Sequence, residues 1–261
     1  DTLRADRLGC YGYTARPTSE RLDHTLEEWG AALFSRAYSA SPWTIPATAK
    51  FMSSRYLDFH GVRLIPESAT MLAEFLRDRG SYCAAFTGGG RVAVPGMAQG
   101  FHPYRWSRGG GQGEGSFPRA GPWLRQWDGG PFFLLVHTYE THRPYTRDTF
   151  CRGLPRGRLG DLSAGEPMLN REANTGTALT PVERAYVQAA YDSGVYHACE
   201  ATADLLETLA RSGRRRDSVV VVLSDHGEEL WDRHQLFGAH GHSLHSEMID
   251  VPLVIHSPET A

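Results

Sequence analysis

The sequence predicts an α/β fold with a mostly parallel central sheet between helical layers. Strand-like and helix-like segments alternate along the chain, and several strand runs are continuously apolar, as in strands covered on both faces. With 261 residues and 41% hydrophobic content, one domain is the expected unit. It spans 1–261, opens on Asp1 without a Met and stops soon after the strand-like run Val251 to His256. It therefore reads as an internal fragment of a single catalytic domain, truncated at both ends, with a first strand and a C-terminal part expected outside it.

The elements follow in order. Thr18 or Ser19 can cap a helix whose apolar positions Leu22, Leu26, Trp29 and Leu33 recur at helical spacing. Ser68 precedes a second helix carrying Met71, Leu72, Phe75 and Leu76, which Gly80 closes. Tyr82 to Thr87, Pro131 to His137 and Ser218 to Ser224 read as strands. Pro181 to Ser212 is long, amphipathic and free of internal Pro, giving one or two helices. Gly109 to Gly115 and Arg152 to Thr180 read as surface loops, and neither has the strand-glycine-helix context of a phosphate-binding loop.

Composition excludes several partners. The formal net charge of −3 is spread over mixed signs without long like-charge runs, so neither nucleic acid nor an anionic membrane surface is indicated. A small-molecule, lipid or glycan ester fits better. Lys50 is the only lysine in the chain. Cys10, Cys83, Cys151 and Cys199 lie far apart with no C-x-x-C spacing, against a zinc knuckle or redox pair. No apolar run reaches the ~20 residues of a membrane helix.

Ligands in open α/β sheets collect beyond the carboxyl ends of strands, which directs attention to polar residues after apolar runs. Asp225-His226-Gly227-Glu228 follows four valines, and an adjacent carboxylate and imidazole can both turn toward one cation. Ser41 to Lys50 contains Thr44 two residues before Pro46, which can open a helix and leave Thr44 at its anion-favouring amino end. The third segment is the amino-terminal stretch Asp1-Thr-Leu-Arg-Ala-Asp6.

These segments, in this order, resemble the sulfatase family of the alkaline-phosphatase superfamily, as do the His60-Gly61 pair and the closing stretch His240 to Leu253. The resemblance implies an alkaline-phosphatase-like fold. It implies that Asp1, Thr44, Asp225 and His226 hold one divalent cation, calcium, manganese or zinc, and that Thr44 is also the nucleophile. His142 matches a histidine that contacts the substrate anion, and His240 or His242 a group near the leaving oxygen. Arg4 and Lys50 are further candidates to pair with the oxyanion. A second metal would draw on Glu140, His142 and His240 or His242.

One departure redirects the chemistry. Many sulfatases are similar in carrying Cys or Ser in a C/S-x-P-S-R segment that is converted to formylglycine, whereas this chain has Thr44-Ile-Pro46-Ala-Thr48. A threonine sulfate has no geminal hydroxyl to expel it, while a phosphothreonine is open to in-line displacement. The expectation is a hydrolase or transferase of phosphate or phosphonate esters. A sulfuric ester hydrolase is the alternative, and a non-catalytic binding protein a third.

Overall fold

The computed structural model describes residues 1–56, 65–89, 92, 94–107, 115–157, 159, 179–233 and 237–258. The His60-Gly61 pair, most of Gly109 to Gly115 and most of Arg152 to Thr180 lie outside the described residues.

Two three-stranded sheets organise the chain. Strands β2 (Tyr82–Thr87), β3 (Tyr104–Trp106) and β4 (Phe132–His137) form a parallel sheet in the order β3-β2-β4, with Thr87 opposite His137 at its carboxyl edge. Strands β1 (Ala32–Leu33), β5 (Val220–Leu223) and β8 (Leu253–His256) form an antiparallel sheet in the order β1-β8-β5. A short hairpin pairs β6 (Glu229–Leu230) with β7 (Phe237–Ala239). The α/β class and the parallel sheet are as expected. Along β5, Val221 and Leu223, with Val219 just before it, are 48, 39 and 65% exposed in this segment of chain.

Helix α1 (Glu20–Glu28) is shorter than its pattern predicts. Gly30 adopts φ +65° and the Ala31 N–H returns to the Leu26 carbonyl, so the chain reverses. Leu22, Leu26 and Trp29 are buried, but Leu33 lies beyond the reversal in β1 and is 44% exposed. Helices α2 (Thr44–Ser53), α3 (Leu72–Arg77) and α4 (Phe117–Gln126) follow. Pro181 to Arg211 is one helix, α5, opened by a capping box between Thr180 and Glu183.

Helix α5 packs against α1 and α4 and carries much of the core, with Tyr186, Val187, Ala190, Tyr191 and Val195 all buried. Its buried Tyr191 also reaches the amino-terminal segment: the hydroxyl donates to the Thr2 carbonyl at 2.7 Å and accepts the Arg4 N–H at 3.1 Å. No helix among the described residues is long and apolar enough to cross a membrane.

Candidate functional site

The site assembles at strand ends. His137 is the last residue of β4, and the carbonyl of the next residue, Thr138, accepts the backbone nitrogen of Asp1 at 3.0 Å. Beyond β5, the Ser224 hydroxyl accepts the Leu3 N–H at 3.0 Å, so the first residues lie across the ends of both strands. Thr2 between them is fully buried with φ +55°, a left-handed conformation that a β-branched residue keeps only when its surroundings impose it. The Tyr191 contact and the Thr141 hydroxyl, which donates to the Asp1 carbonyl, supply those surroundings.

Thr44 is the first residue of α2, behind an extended Trp43, as the Pro46 spacing predicts. Its side chain is buried, with Oγ1 donating to Asp1 Oδ2 at 3.0 Å and lying 3.3 Å from His226 Nε2.

Asp225 and His226 are oriented by their own backbone. The His226 N–H occupies Asp225 Oδ1 at 2.9 Å, which turns Oδ2 toward the site. The His226 Nδ1–H donates to the Gly227 carbonyl at 2.8 Å, assigning the tautomer that leaves a lone pair on Nε2. The Gly227 N–H in turn donates to the Met248 carbonyl at 2.7 Å. A Cβ on Gly227 would stand 2.1 Å from the Glu247 carbonyl oxygen, so only glycine fits.

The four residues expected to share a cation are thus together. His226 Nε2 lies 3.4 Å from Asp1 Oδ1 and 3.6 Å from Asp225 Oδ2. Sequence reasoning missed a fifth: His137 Nε2 lies 3.7 Å from Asp1 Oδ2 and 4.0 Å from Asp225 Oδ2. Asp1, His137 and Asp225 offer donor atoms all within 4.8 Å of one another. The missed signal was the position of His137 at the carboxyl end of an apolar run, the criterion that selected Asp225 and His226.

These separations match a bound cation. A tetrahedral centre with ~2.1 Å bonds holds its donors ~3.4 Å apart. Asp1 Oδ1, Asp225 Oδ2 and His137 Nε2 are buried without a hydrogen-bond partner. Buried polar atoms carry a cost unless satisfied, and a cation would satisfy these together. Burial pushes the His137 and His226 pKa values down, in the direction of the neutral imidazole that binds a metal. Burial alone would raise Asp225, but the neighbouring His226 and His137 outweigh it and hold the carboxyl well below its usual range.

The other candidates separate by their partners. His240 Nδ1 lies 2.8 Å from Oε1 of the fully buried Glu228, whose Oε2 accepts the Tyr145 hydroxyl at 3.2 Å. The His240 ring centroid stands 4.6 Å from that of His226 and 5.1 Å from that of His142. His142 is hydrogen-bonded through Nδ1 to the Arg143 carbonyl. His242 pairs instead with Glu229, at 3.2 Å. Glu140 is engaged by Arg147 through two contacts of 2.8 and 2.9 Å, which sets it apart from the imidazoles expected to share a second metal.

Arg4 and Lys50 are engaged elsewhere. The Arg4 guanidinium contacts Asp6 at 2.7 and 2.9 Å, Asp232 at 2.6 Å and the Glu228 carbonyl at 3.0 Å, while Lys50 donates to the Ala40 carbonyl at 3.0 Å. The four cysteines are free.

A family model described as Sulfatase matches residues 1–261. No curated protein sequence matches the chain. Among solved structures, the zinc complex of the C-terminal periplasmic domain of EcEptC from Escherichia coli is 15% identical. The match covers 100% of this chain and 71% of that one, with a TM-score of 0.70. A phosphonate monoester hydrolase of Agrobacterium radiobacter is 18% identical over 99% of this chain and 67% of that one, with a TM-score of 0.72. A 2-O GAG sulfatase is 16% identical over 99% of this chain and 62% of its own length, with a TM-score of 0.72. At these identities the likeness is one of fold.

Proposed function

The chain belongs to the sulfatase family, and from that premise we propose that it is a metal-dependent hydrolase or transferase of phosphate or phosphonate esters with Thr44 as nucleophile. The observation that carries this reading is the position of Thr44 Oγ1 at a helix amino terminus, 3.0 Å from Asp1 Oδ2 and 3.3 Å from His226 Nε2. An anion at that terminus meets unpaired backbone N–H groups and the favourable end of the helix dipole.

Asp1, Asp225, His226 and His137 would hold the cation, with Thr44 at its edge. When bound, the ion lowers the cost of forming the alkoxide and offsets charge on the ester oxygens. Two imidazoles among the donors favour zinc or manganese over calcium. The zinc complex of the Escherichia coli domain supports the same choice. One ion is the simpler reading, since Glu140 is already paired with Arg147.

Asp1 accepts the Thr44 hydroxyl and aligns its oxygen for attack. His142 and His240 stand beside the centre. Because Glu228 occupies His240 Nδ1, the Nε2 of His240 is the atom that would face a departing oxygen and protonate it, with His242 the lesser candidate. Water, or an acceptor alcohol in a transferase, then displaces the threonine-bound phosphoryl group in line.

Aryl phosphodiester, phosphonate monoester and sulfate substrates, matched in leaving group, test the reading. Phosphorus esters should turn over and leave a phosphoryl adduct on Thr44 detectable by mass spectrometry after rapid quenching. Faster sulfate turnover without such an adduct would favour the sulfuric ester alternative, which the 2-O GAG sulfatase likeness keeps in view.

A further inference from the structure

Next to the centre lies a crevice of about 470 Å³ between the amino end of α4, the middle of α5 and the loop after β4. Thr138 lines it, and the same residue's carbonyl holds Asp1, so the crevice begins one residue from His137. A substrate arm extending from Thr44 has this space within reach.

The charged groups of its walls divide into committed and uncommitted ones. Glu140 is bound by Arg147, while Glu200 and Asp204 are bound by Arg21 at 3.1 and 2.7 Å. Two arginines thus neutralise the three acids. Arg125 has no ion pair among the described residues. It folds back along α4, with Nη1 3.5 Å from where a Cβ on Gly121 would lie, in ordinary contact distance of that turn of the helix.

The residue before α4 adds a second donor. Ser116 lines the crevice and is only 2% exposed, yet its Oγ has no hydrogen-bond partner. It does not cap its own helix. A buried hydroxyl without a partner at a ten-residue helix's amino terminus carries a cost that a ligand acceptor would remove.

We propose that this crevice is a subsite for an oxyanion, a carboxylate, sulfate or phosphate, on the non-reacting arm of the ester substrate, held by Arg125 and the Ser116 hydroxyl. It deepens the functional reading above and rests on it for the direction of the arm. The natural substrate would then carry a negative charge at both ends, as a polyanionic glycan or a phospholipid headgroup does.

Calorimetric titration of the zinc-loaded protein with two non-hydrolysable ligands of equal length tests this. Terminal phosphonohexanoate carries a second anion, and terminal hydroxyhexylphosphonate does not. Wild-type protein should bind the first about tenfold more tightly, the scale of one charge-assisted contact. Arg125→Ala should abolish the preference and Arg125→Lys retain part of it, without changing affinity for the neutral-ended ligand. Thr44→Ala should keep the preference. Equal affinities in the wild type, or a preference that survives Arg125→Ala, would overturn the subsite. Undiminished turnover by Thr44→Ala would overturn the nucleophile and leave this comparison standing.

Discussion

The Thr44 hydroxyl donates to the Asp1 carboxylate across 3.0 Å, joining the first residue of α2 to the first residue of the chain. If that oxygen is the nucleophile, Thr44→Ala should lower kcat for phosphorus esters on the order of 10³-fold or more. Thr44→Ser should retain measurable turnover. Both variants should keep their zinc, measured by plasma emission on the purified proteins.

His137 should matter through the metal. His137→Gln should weaken zinc binding by about 10–100-fold, the range found when a group supporting a bound metal is lost. Competition against a fluorescent chelator would read it. Unchanged affinity would show that Asp1, Thr44, Asp225 and His226 suffice.

His240 and His242 should differ in their response to the leaving group. His240→Ala should cost roughly 10²–10⁴-fold on alkyl esters, which need a proton on the departing oxygen, and far less on nitrophenyl esters, which do not. His242→Ala should show a small effect on both. A steeper leaving-group dependence for His242→Ala would exchange the two roles.

Gly227→Ala should damage fold and centre together. The new methyl meets the Glu247 carbonyl, and displacing that backbone should cost about 1–3 kcal/mol. A lowered melting temperature accompanied by lost zinc would report it. Gly12→Ala meets no atom within 4 Å, which makes it a control for backbone strain without crowding.

Acid lability should involve Asp232. Burial alone would raise its pKa, but Arg4 pulls it below the ordinary value of 3.8. A carboxyl lowered on folding stabilises above its unfolded value, and that contribution disappears as pH falls through the folded one. Asp232→Asn should therefore destabilise by about 1 kcal/mol near neutrality, given the partial exposure of the pair. The difference from wild type should start to shrink as pH falls to about 3.8 and vanish only below the lower folded value, as melting curves across that range would show.

Much of the site was legible in the sequence because its residues sit where apolar runs end. Asp225 and His226 follow four valines, and Pro46 marks the helix start at Thr44. What could not be read were competitions settled only in three dimensions. His137 belongs by position to its strand and by orientation to the centre. Glu140 was a reasonable ligand until Arg147 came within 2.8 Å. Leu33 continued a helical pattern that Gly30 had already reversed.

The proposed donors come from three separated stretches, at Asp1, at His137 and at the adjacent Asp225 and His226, with Thr44 brought beside them from a fourth. A disordered chain offers no such constellation, so any affinity for the ion adds to the free energy of the folded state. The ion would then act as a clasp on the whole architecture, and chelation should turn orderly melting into loss at a lower temperature. A fragment lacking any one stretch should neither retain the ion nor gain that protection.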